Sequence, residues 1–178
     1  HSGHWRGFKA MFAKFPEQQQ TIIILTNNGA DDSVDENAQS LNDILDGRAA
    51  VPAKPMLSKA LYPLLIKSEL DKASALTKQA NSTQDSAFLV EERMMNRLGY
   101  TLLQQGKMAE GIFALAFNHE TFSNSPNTYD SLAEAYAMNG NMVRATTTLN
   151  QMKAKFPQHT DFAKRLAELK EVSDKSAQ

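Results

Sequence analysis

The chain has 178 residues, of which 42% are hydrophobic, so it can form one ordinary domain or two small ones with a real core. Nineteen basic residues against twenty acidic ones leave a formal charge of −1, which argues against nucleic acid or an anionic membrane as a general partner. No apolar run approaches the about 20 residues of a bilayer-spanning helix. The absence of cysteine excludes disulfides and thiolate metal sites, and it leaves both the cytoplasm and an oxidising compartment open.

The beginning of the chain has the pattern of β-strands. Residues 7–15 alternate apolar side chains with others, and after a turn at residues 16–19 the β-branched run 21–26 follows. This arrangement predicts a β-hairpin. The second strand is apolar on both faces, which is typical of an inner strand of a larger, covered sheet, so we expect it to have further neighbours.

A helix is predicted after the hairpin. Ser33 with Glu36 three residues later matches a capping box, and Gly47 marks the end of the helix. One apolar stripe along it comprises Val34, Ala38, Leu41 and Leu45. A proline-bearing connector over residues 49–55 then separates this front part, residues 1–48, from the rest of the chain.

From residue 56 onward the periodicity is helical. Leu57, Leu61 and Leu65 form one apolar stripe, and Pro63 is expected to bend or delay that helix. A second stripe begins at Leu70. These features predict a first helical hairpin, which a polar stretch over residues 81–86 separates from the sequence that follows.

The remainder of the chain repeats with a period of 34 residues. The matched pairs are Leu98/Leu132, Gly99/Ala133, Leu102/Tyr136, Gly106/Gly140, Gly111/Ala145 and Leu115/Leu149. Small residues let two antiparallel helices approach closely, and the last glycine of each first helix supplies a left-handed residue. We predict two hairpins, over residues 92–125 and 126–159, with Ser125 as N-cap before Pro126, and a capping helix over residues 160–172.

This repeat resembles the tetratricopeptide family. The second repeat carries the signature residues Tyr129, Leu132, Ala133, Tyr136, Gly140, Ala145 and Pro157. The first repeat departs from the signature at Met95, where an aromatic residue is usual, and at Ser123, where proline is usual. The hairpin over residues 56–80 would be a degenerate third unit.

The resemblance also implies a binding groove. In this family the first helix of each repeat lines a concave surface that receives an extended peptide. Carried over by position, the groove residues are Arg93, Asn96, Tyr100, Asn127, Asp130 and Glu134. The alternative interpretation makes the same six residues solvated polar side chains of a structural cap.

The front part resembles a second family. It contains His1-Ser2-Gly3, then Trp5-Arg6-Gly7-Phe8, a strand, Pro16-Glu17, and an apolar strand that ends Leu25-Thr26-Asn27-Asn28. This order is similar to the C-terminal end of serine β-lactamases and penicillin-binding proteins, in the class C and esterase-like branch where a His-Ser/Thr-Gly triplet replaces Lys-Thr-Gly. Bacterial members of this branch often carry a helical tail, so both resemblances point to one parent protein.

The second resemblance implies an acyl-serine hydrolase that acts on β-lactams, D-alanyl peptides or esters. It places the triplet, with Ser2, on the strand beside the active site, where His1 binds the substrate carboxylate or polarises a tyrosine and the His4 backbone N–H donates to the oxyanion. Such chemistry also needs a Ser-x-x-Lys nucleophile and a Tyr-x-Asn motif, and neither occurs in these residues. We therefore expect the chain alone to be inactive, its nucleophile lying in a preceding hydrolase domain.

Other interpretations of these residues are weaker. His1-Ser2-Gly3 would also fit the remnant of an expression tag. His1 and His4 could form half of a metal site, but the remaining imidazoles, His119 and His159, lie at no ligand spacing, so neither metal nor cofactor is predicted. The acidic run at residues 31–36 lacks the EF-hand spacing and suits a helix N-terminus.

The sequence thus predicts a mainly α fold, with tetratricopeptide-like hairpins of an α-solenoid preceded by a β-hairpin and helix from a β-lactamase-like α/β domain. As function it favours a non-catalytic interaction or dimerisation module of a periplasmic or secreted bacterial serine hydrolase. The expected partners are a protein or peptide in the groove, the hydrolase domain, and a second copy paired along the strand at residues 21–26. The alternative is a free-standing tetratricopeptide adaptor whose front part is only a cap of this protein and belongs to no larger domain.

Overall fold

The structure is a computed structural model that describes residues 1–5, 7–27, 34–50, 54–81, 87–159 and 161–176. These residues belong to two compact units, residues 1–54 and 55–178. The first unit contains an antiparallel sheet and one helix, and the second is helical. The prediction of a mainly helical fold with a small antiparallel β element is therefore confirmed. None of the described helices is long and apolar enough to cross a membrane.

The first unit contains the predicted hairpin, and one further strand extends it to a three-stranded sheet. Strands β1 (Ser2–Trp5), β2 (Phe8–Phe15) and β3 (Gln20–Thr26) pair antiparallel in the order β1-β2-β3. The register places Trp5 opposite Phe8, and Phe12 opposite Ile23. Within the described residues only β2 pairs with β3, so β3 is an edge strand of this sheet and not the inner strand that its composition predicted.

Helix α1 (Val34–Leu45) covers one face of the sheet by packing on β2 and β3. Its buried positions are Val34, Ala38 and Asn42. The predicted stripe is thus only half correct, because Leu41 and Leu45 lie to one side of the buried line and are 41% and 51% exposed. Gly47, at φ +74°, follows the helix as predicted. Ser33 of the predicted capping box lies outside the described residues.

The second unit consists of seven described helices. They are α2 (Leu57–Ile66), α3 (Leu70–Asn81), α4 (Glu92–Gln104), α5 (Met108–Thr121), α6 (Pro126–Met138), α7 (Met142–Lys155) and α8 (Phe162–Ser176). Each boundary of α6 and α7 lies 34 residues after the matching boundary of α4 and α5, so the predicted period is confirmed. Helix α2 continues past Pro63, and α8 ends four residues later than predicted.

Close packing inside the hairpins depends on two glycines. A Cβ atom added to Gly99 of α4 would lie 2.4 Å from Cγ of Leu115 on α5. One added to Gly111 of α5 would lie 2.7 Å from Cδ2 of Leu103 on α4. No real Cβ tolerates such distances, so the predicted role of these small residues is confirmed. Ala133 and Ala145 hold the matching positions of the next hairpin and are fully buried.

Three hairpin turns share one geometry. In each, the second residue after the first helix is left-handed: Ser68 at φ +57°, Gly106 at +75° and Gly140 at +72°. Glycine adopts this conformation at no steric cost, whereas serine does not. Lys107 Nζ donates a hydrogen bond to Ser68 Oγ over 3.1 Å, which joins the first turn to the second. The hairpin of α2 and α3 therefore has the same design as the two that repeat in sequence.

At the start of α6 the predicted N-cap residue is present, but the predicted capping hydrogen bond of its side chain is not. Ser125 holds the N-cap position and Pro126 begins the helix, but the serine side chain makes no capping hydrogen bond. Its Oγ donates instead to Glu92 Oε1 at 2.9 Å, and Asn127 Nδ2 donates to the same oxygen at 3.0 Å. Glu92 therefore joins the beginnings of α4 and α6 through two hydrogen bonds to its charged carboxylate.

Asn118 on α5 breaks the repeat in the core. Its side chain is fully buried, and neither Nδ2 nor Oδ1 has a hydrogen-bond partner among the described residues. Met152, 34 residues later, occupies the matching position and is also buried. A buried amide without partners costs about 1–3 kcal/mol, so Asn118 is a weak point of the first hairpin.

We expect Asn118→Met to raise the free energy of unfolding by about 1–2 kcal/mol. The substitution removes the unpaired amide, and the next hairpin already buries a methionine, Met152, at the matching position. Urea denaturation followed by circular dichroism measures the change. The reciprocal variant Met152→Asn is the matched control and should destabilise the protein. An Asn118→Met protein that is less stable than wild type would show that the amide has a stabilising partner.

Candidate functional site

The predicted groove lies on the side of the second unit formed by the first helices of the hairpins. Helix α6 packs against α4 and against α8, so three helices lie side by side. The predicted residues follow this surface: Arg93, Asn96 and Tyr100 lie on α4, and Asn127, Asp130 and Glu134 lie on α6. Helix α8 contributes a residue that the sequence analysis did not include, Arg165.

Arg165 forms the centre of a charged cluster. Its Nε donates to Asp130 Oδ1 over 2.6 Å and its Nη2 to Asp130 Oδ2 over 2.9 Å, which is a bidentate pair. The same Nη2 donates to Glu134 Oε2 over 2.9 Å, and Nη1 donates to Glu168 Oε2 over 3.1 Å. The cluster joins α6 to α8 through charge-assisted hydrogen bonds.

The pKa of Arg165 reflects this surrounding. Burial alone would lower it, but the hydrogen bonds and charges of Asp130, Glu168 and Glu134 outweigh the burial and raise it well above the usual value. The guanidinium therefore stays charged at any pH at which the protein is folded. Three carboxylates around one guanidinium fix the rotamers of all four side chains.

Tyr100 extends the cluster to α4. Its hydroxyl donates to Glu134 Oε2 over 3.1 Å, the same oxygen that Arg165 binds. Burial raises the pKa of Tyr100 to about 12, and the negative charges of Glu134 and Asp130 add to the effect. One hydrogen-bond network thus crosses the three helices.

The remaining predicted groove residues have different environments. Arg93 and Asn127 are exposed, and Asn127 is hydrogen-bonded to Glu92 as described above. Asn96 is half-buried, and its Oδ1 has no partner within the described part of the chain. Among the six residues, Tyr100, Asp130 and Glu134 are brought together, whereas Arg93, Asn96 and Asn127 lie apart from that network.

The network uses the polar atoms that a peptide would need to bind. Asp130 has both oxygens engaged by Arg165, and Glu134 Oε2 accepts two bonds. At the second repeat this arrangement favours the structural-cap interpretation over an open peptide site. The sequence did not indicate Arg165 as a site residue, because Asp130 and Glu134 lie far from it in the chain. The one local sign of an ion pair was the spacing of Arg165 and Glu168 along a predicted helix.

The residues of the predicted hydrolase triplet lie on β1. His1 exchanges two backbone hydrogen bonds with Phe12, each 2.8 Å long. Because bonded and non-bonded pairs alternate in an antiparallel ladder, Gly3 and Trp5 also bond to β2, whereas the N–H groups of Ser2 and His4 point to the open edge of β1.

The sheet face opposite α1 is apolar and exposed. Its large side chains are Trp5 (73% exposed), Phe8, Phe12, Ile23 (62%) and Leu25 (77%). Of these, Trp5, Phe8 and Leu25 line a hollow of about 550 Å³ whose walls also include Gly3 and Ala10. An apolar patch of this kind is unusual on a monomeric protein surface and marks a surface that another layer covers.

No group of acidic, histidine or cysteine side chains in the described ranges could hold a metal ion. Comparison of the chain with models of protein families, with curated proteins and with solved structures found no match. The site must therefore be interpreted from its own chemistry.

Replacing Arg165 with glutamine should lower the free energy of unfolding by about 2 kcal/mol, because it leaves partly buried carboxylates without their cation. Amide exchange should accelerate mainly in α8. Glu168→Gln is the matched control: Glu168 is the more exposed partner at 44%, so its loss should change stability by less than about 0.5 kcal/mol. Equal effects of the two substitutions would contradict the central role of the Asp130–Arg165 pair.

Stability should fall in alkali through Tyr100. A phenol whose folded pKa is raised contributes stability that is present below its unfolded value of 10 and is lost between pH 10 and about 12. Titration of phenolate absorbance should show a late component from Tyr100, and Tyr100→Phe should remove that component together with part of the alkaline loss of stability. An unchanged titration in Tyr100→Phe would mean that this hydroxyl is not buried in the network.

Proposed function

We propose that this chain is the non-catalytic C-terminal interaction module of a β-lactamase-related serine hydrolase that works in the periplasm or outside the cell. The front unit supplies a sheet whose exposed face the hydrolase domain covers, and the helical unit is a tetratricopeptide-like tail. The observation that carries the proposal is the exposed apolar face of the sheet. An isolated cap would have no physical reason to expose so many aromatic and aliphatic side chains on one face.

Further exposed apolar side chains of the first unit support this role. Trp5, Phe8 and Leu25 are exposed on the sheet face opposite α1, and Leu41 and Ile44 of α1 are exposed beside the line of residues that packs on the sheet. A sheet with an apolar outer face has the character of an inner layer, because a stable domain covers its apolar faces. The remainder of a hydrolase domain would supply the missing layer.

The open edge of β1 is compatible with the chemistry of such a parent. The N–H of His4 points away from β2, and a substrate carbonyl at this edge would place its developing oxyanion near that donor. The nucleophile and its base must come from another segment, since Ser-x-x-Lys and Tyr-x-Asn are absent from these residues. The chain contributes a binding edge and no proton-transfer group.

The helical unit supports the tetratricopeptide-like part of the proposal through its repeated design. Its hairpins share the turn geometry at Ser68, Gly106 and Gly140, and the 34-residue spacing is strict in two of them. Because Arg165 engages the carboxylates of the second repeat, a peptide would contact mainly the α4 part of the surface, at Asn96, whose Oδ1 has no partner within the described residues. This part is where a protein partner would bind.

Trp5 provides the test, because it is the chain's one tryptophan and lies on the exposed face. In a protein that consists of residues 1–178 alone, the Trp5 emission should be that of a water-exposed indole and should be quenched by iodide. In the longer product that includes the preceding hydrolase domain, the emission should shift to shorter wavelength and resist iodide. That product should also hydrolyse a β-lactam or an ester, whereas this chain should not.

A reporter on the second unit serves as the matched control. In a Trp5→Phe protein, Val143→Trp places the indole at a position that is 79% exposed on α7, and its emission should be the same in both products. An upstream reading frame with Ser-x-x-Lys and Tyr-x-Asn within about 300 codons, the upper size of one domain, supports the proposal. An initiator codon directly before His1 would overturn it and favour the free-standing adaptor.

A further inference from the structure

We propose that two copies of this chain associate by antiparallel pairing of β3 with β3, along the edge of the sheet with which no other described strand pairs. The occupant of this edge is a second copy, related by a twofold axis. The pairing extends the sheet from three strands to six. It uses a different surface from the exposed sheet face that is assigned above to the hydrolase domain.

The backbone of β3 is prepared for an added strand. His1 and Phe12 form a bonded pair, so by alternation Met11 and Ala13 of β2 bond towards β3, at Ile24 and Ile22. The N–H and C=O groups of Thr21, Ile23 and Leu25 consequently point away from β2. An edge strand with such a row of outward groups is a template for pairing with another strand.

The chemistry of β3 selects a copy of itself. Residues 20–27 contain no charged side chain and no proline, which are the usual devices that keep an edge strand unpaired. Two neutral strands can approach without like-charge repulsion, and an antiparallel strand pair is self-complementary under a twofold axis. The edge of β1 is a poorer candidate because Ser2–Trp5 is only four residues long and contains a glycine.

The favoured register places Ile24 on the twofold axis. Thr21 to Asn27 then overlap fully, and Ile23 forms a bonded pair with Leu25 of the second copy. Even-numbered residues remain on the side of α1 and odd-numbered residues remain on the exposed face, so both copies keep their buried set. The β-branched neighbours across the axis add side-chain contacts to the backbone bonds.

This inference does not rest on the hydrolase proposal, because it concerns the chain as it is and only its β3 edge. The two can fail separately. Trp5 lies on β1, at the opposite edge of the sheet from β3, so edge pairing leaves its emission unchanged, whereas coverage of the sheet face shifts it.

Sedimentation equilibrium over a concentration series tests the pairing. We expect a monomer–dimer equilibrium. Leu25→Pro removes an outward N–H without removing a bond to β2, and it should raise the dimer dissociation constant at least about tenfold, because the axis removes the donor twice. Ile23→Lys should do the same by placing charge at the interface. Leu41→Lys, an exposed change on α1, is the matched control and should leave the constant unchanged.

Each other outcome overturns the pairing. These outcomes are a monomer at all concentrations, open assemblies larger than a dimer, a dimer that both variants leave intact, or a shift of Trp5 emission on association. Circular dichroism confirms that the variants are folded. If Leu25→Pro does not fold, Ile23→Lys decides the question, since it alters a side chain that is already 62% exposed.

Discussion

An apolar layer of secondary structure needs a second layer to exclude water from it, and the two units meet this requirement to different extents. In the helical unit each hairpin buries its apolar face against the next, and α8 ends the series by burying Leu169 against the cluster that contains Tyr129 and Met152. In the sheet unit α1 covers one face, and the other remains exposed. The interpretation of the whole chain follows from this difference.

Sequence patterns predicted the helical unit well because its contacts are local. From the sequence alone, the glycines at positions 99 and 111 indicated close helix approach, and those at 106 and 140 indicated left-handed turns; the structure has both features. Such features lie within one hairpin and recur at a fixed spacing. The left-handed Ser68 was not predicted, because serine carries no local signal for this conformation.

The sheet unit was predicted less well for the opposite reason. The apolar character of β3 on both faces indicated coverage on both sides, but periodicity alone does not show whether the covering layer belongs to the same chain. The predicted buried face of α1 was partly wrong for the same reason. Leu41 and Leu45 have the spacing of core residues, yet the sheet buries Asn42 instead. Helical spacing identifies an apolar face, and only tertiary structure identifies its partner.

The resemblance to tetratricopeptide repeats placed the groove residues on the correct helices, but it did not show which partners their side chains bind. Asp130, Glu134 and Tyr100 lie on the predicted surface, but Arg165, 31 to 35 residues later in the chain than the two carboxylates, takes up their hydrogen bonds. This network stabilises the order of three helices.

An unpaired β3 edge in the single chain can be examined by residue-resolved hydrogen exchange at low protein concentration. We expect the N–H groups of Ile22 and Ile24 to be protected, because they bond to β2, while those of Thr21, Ile23 and Leu25 exchange quickly. Equal protection of both sets in a monomer would contradict it, because the edge of β3 would then already be paired within the chain.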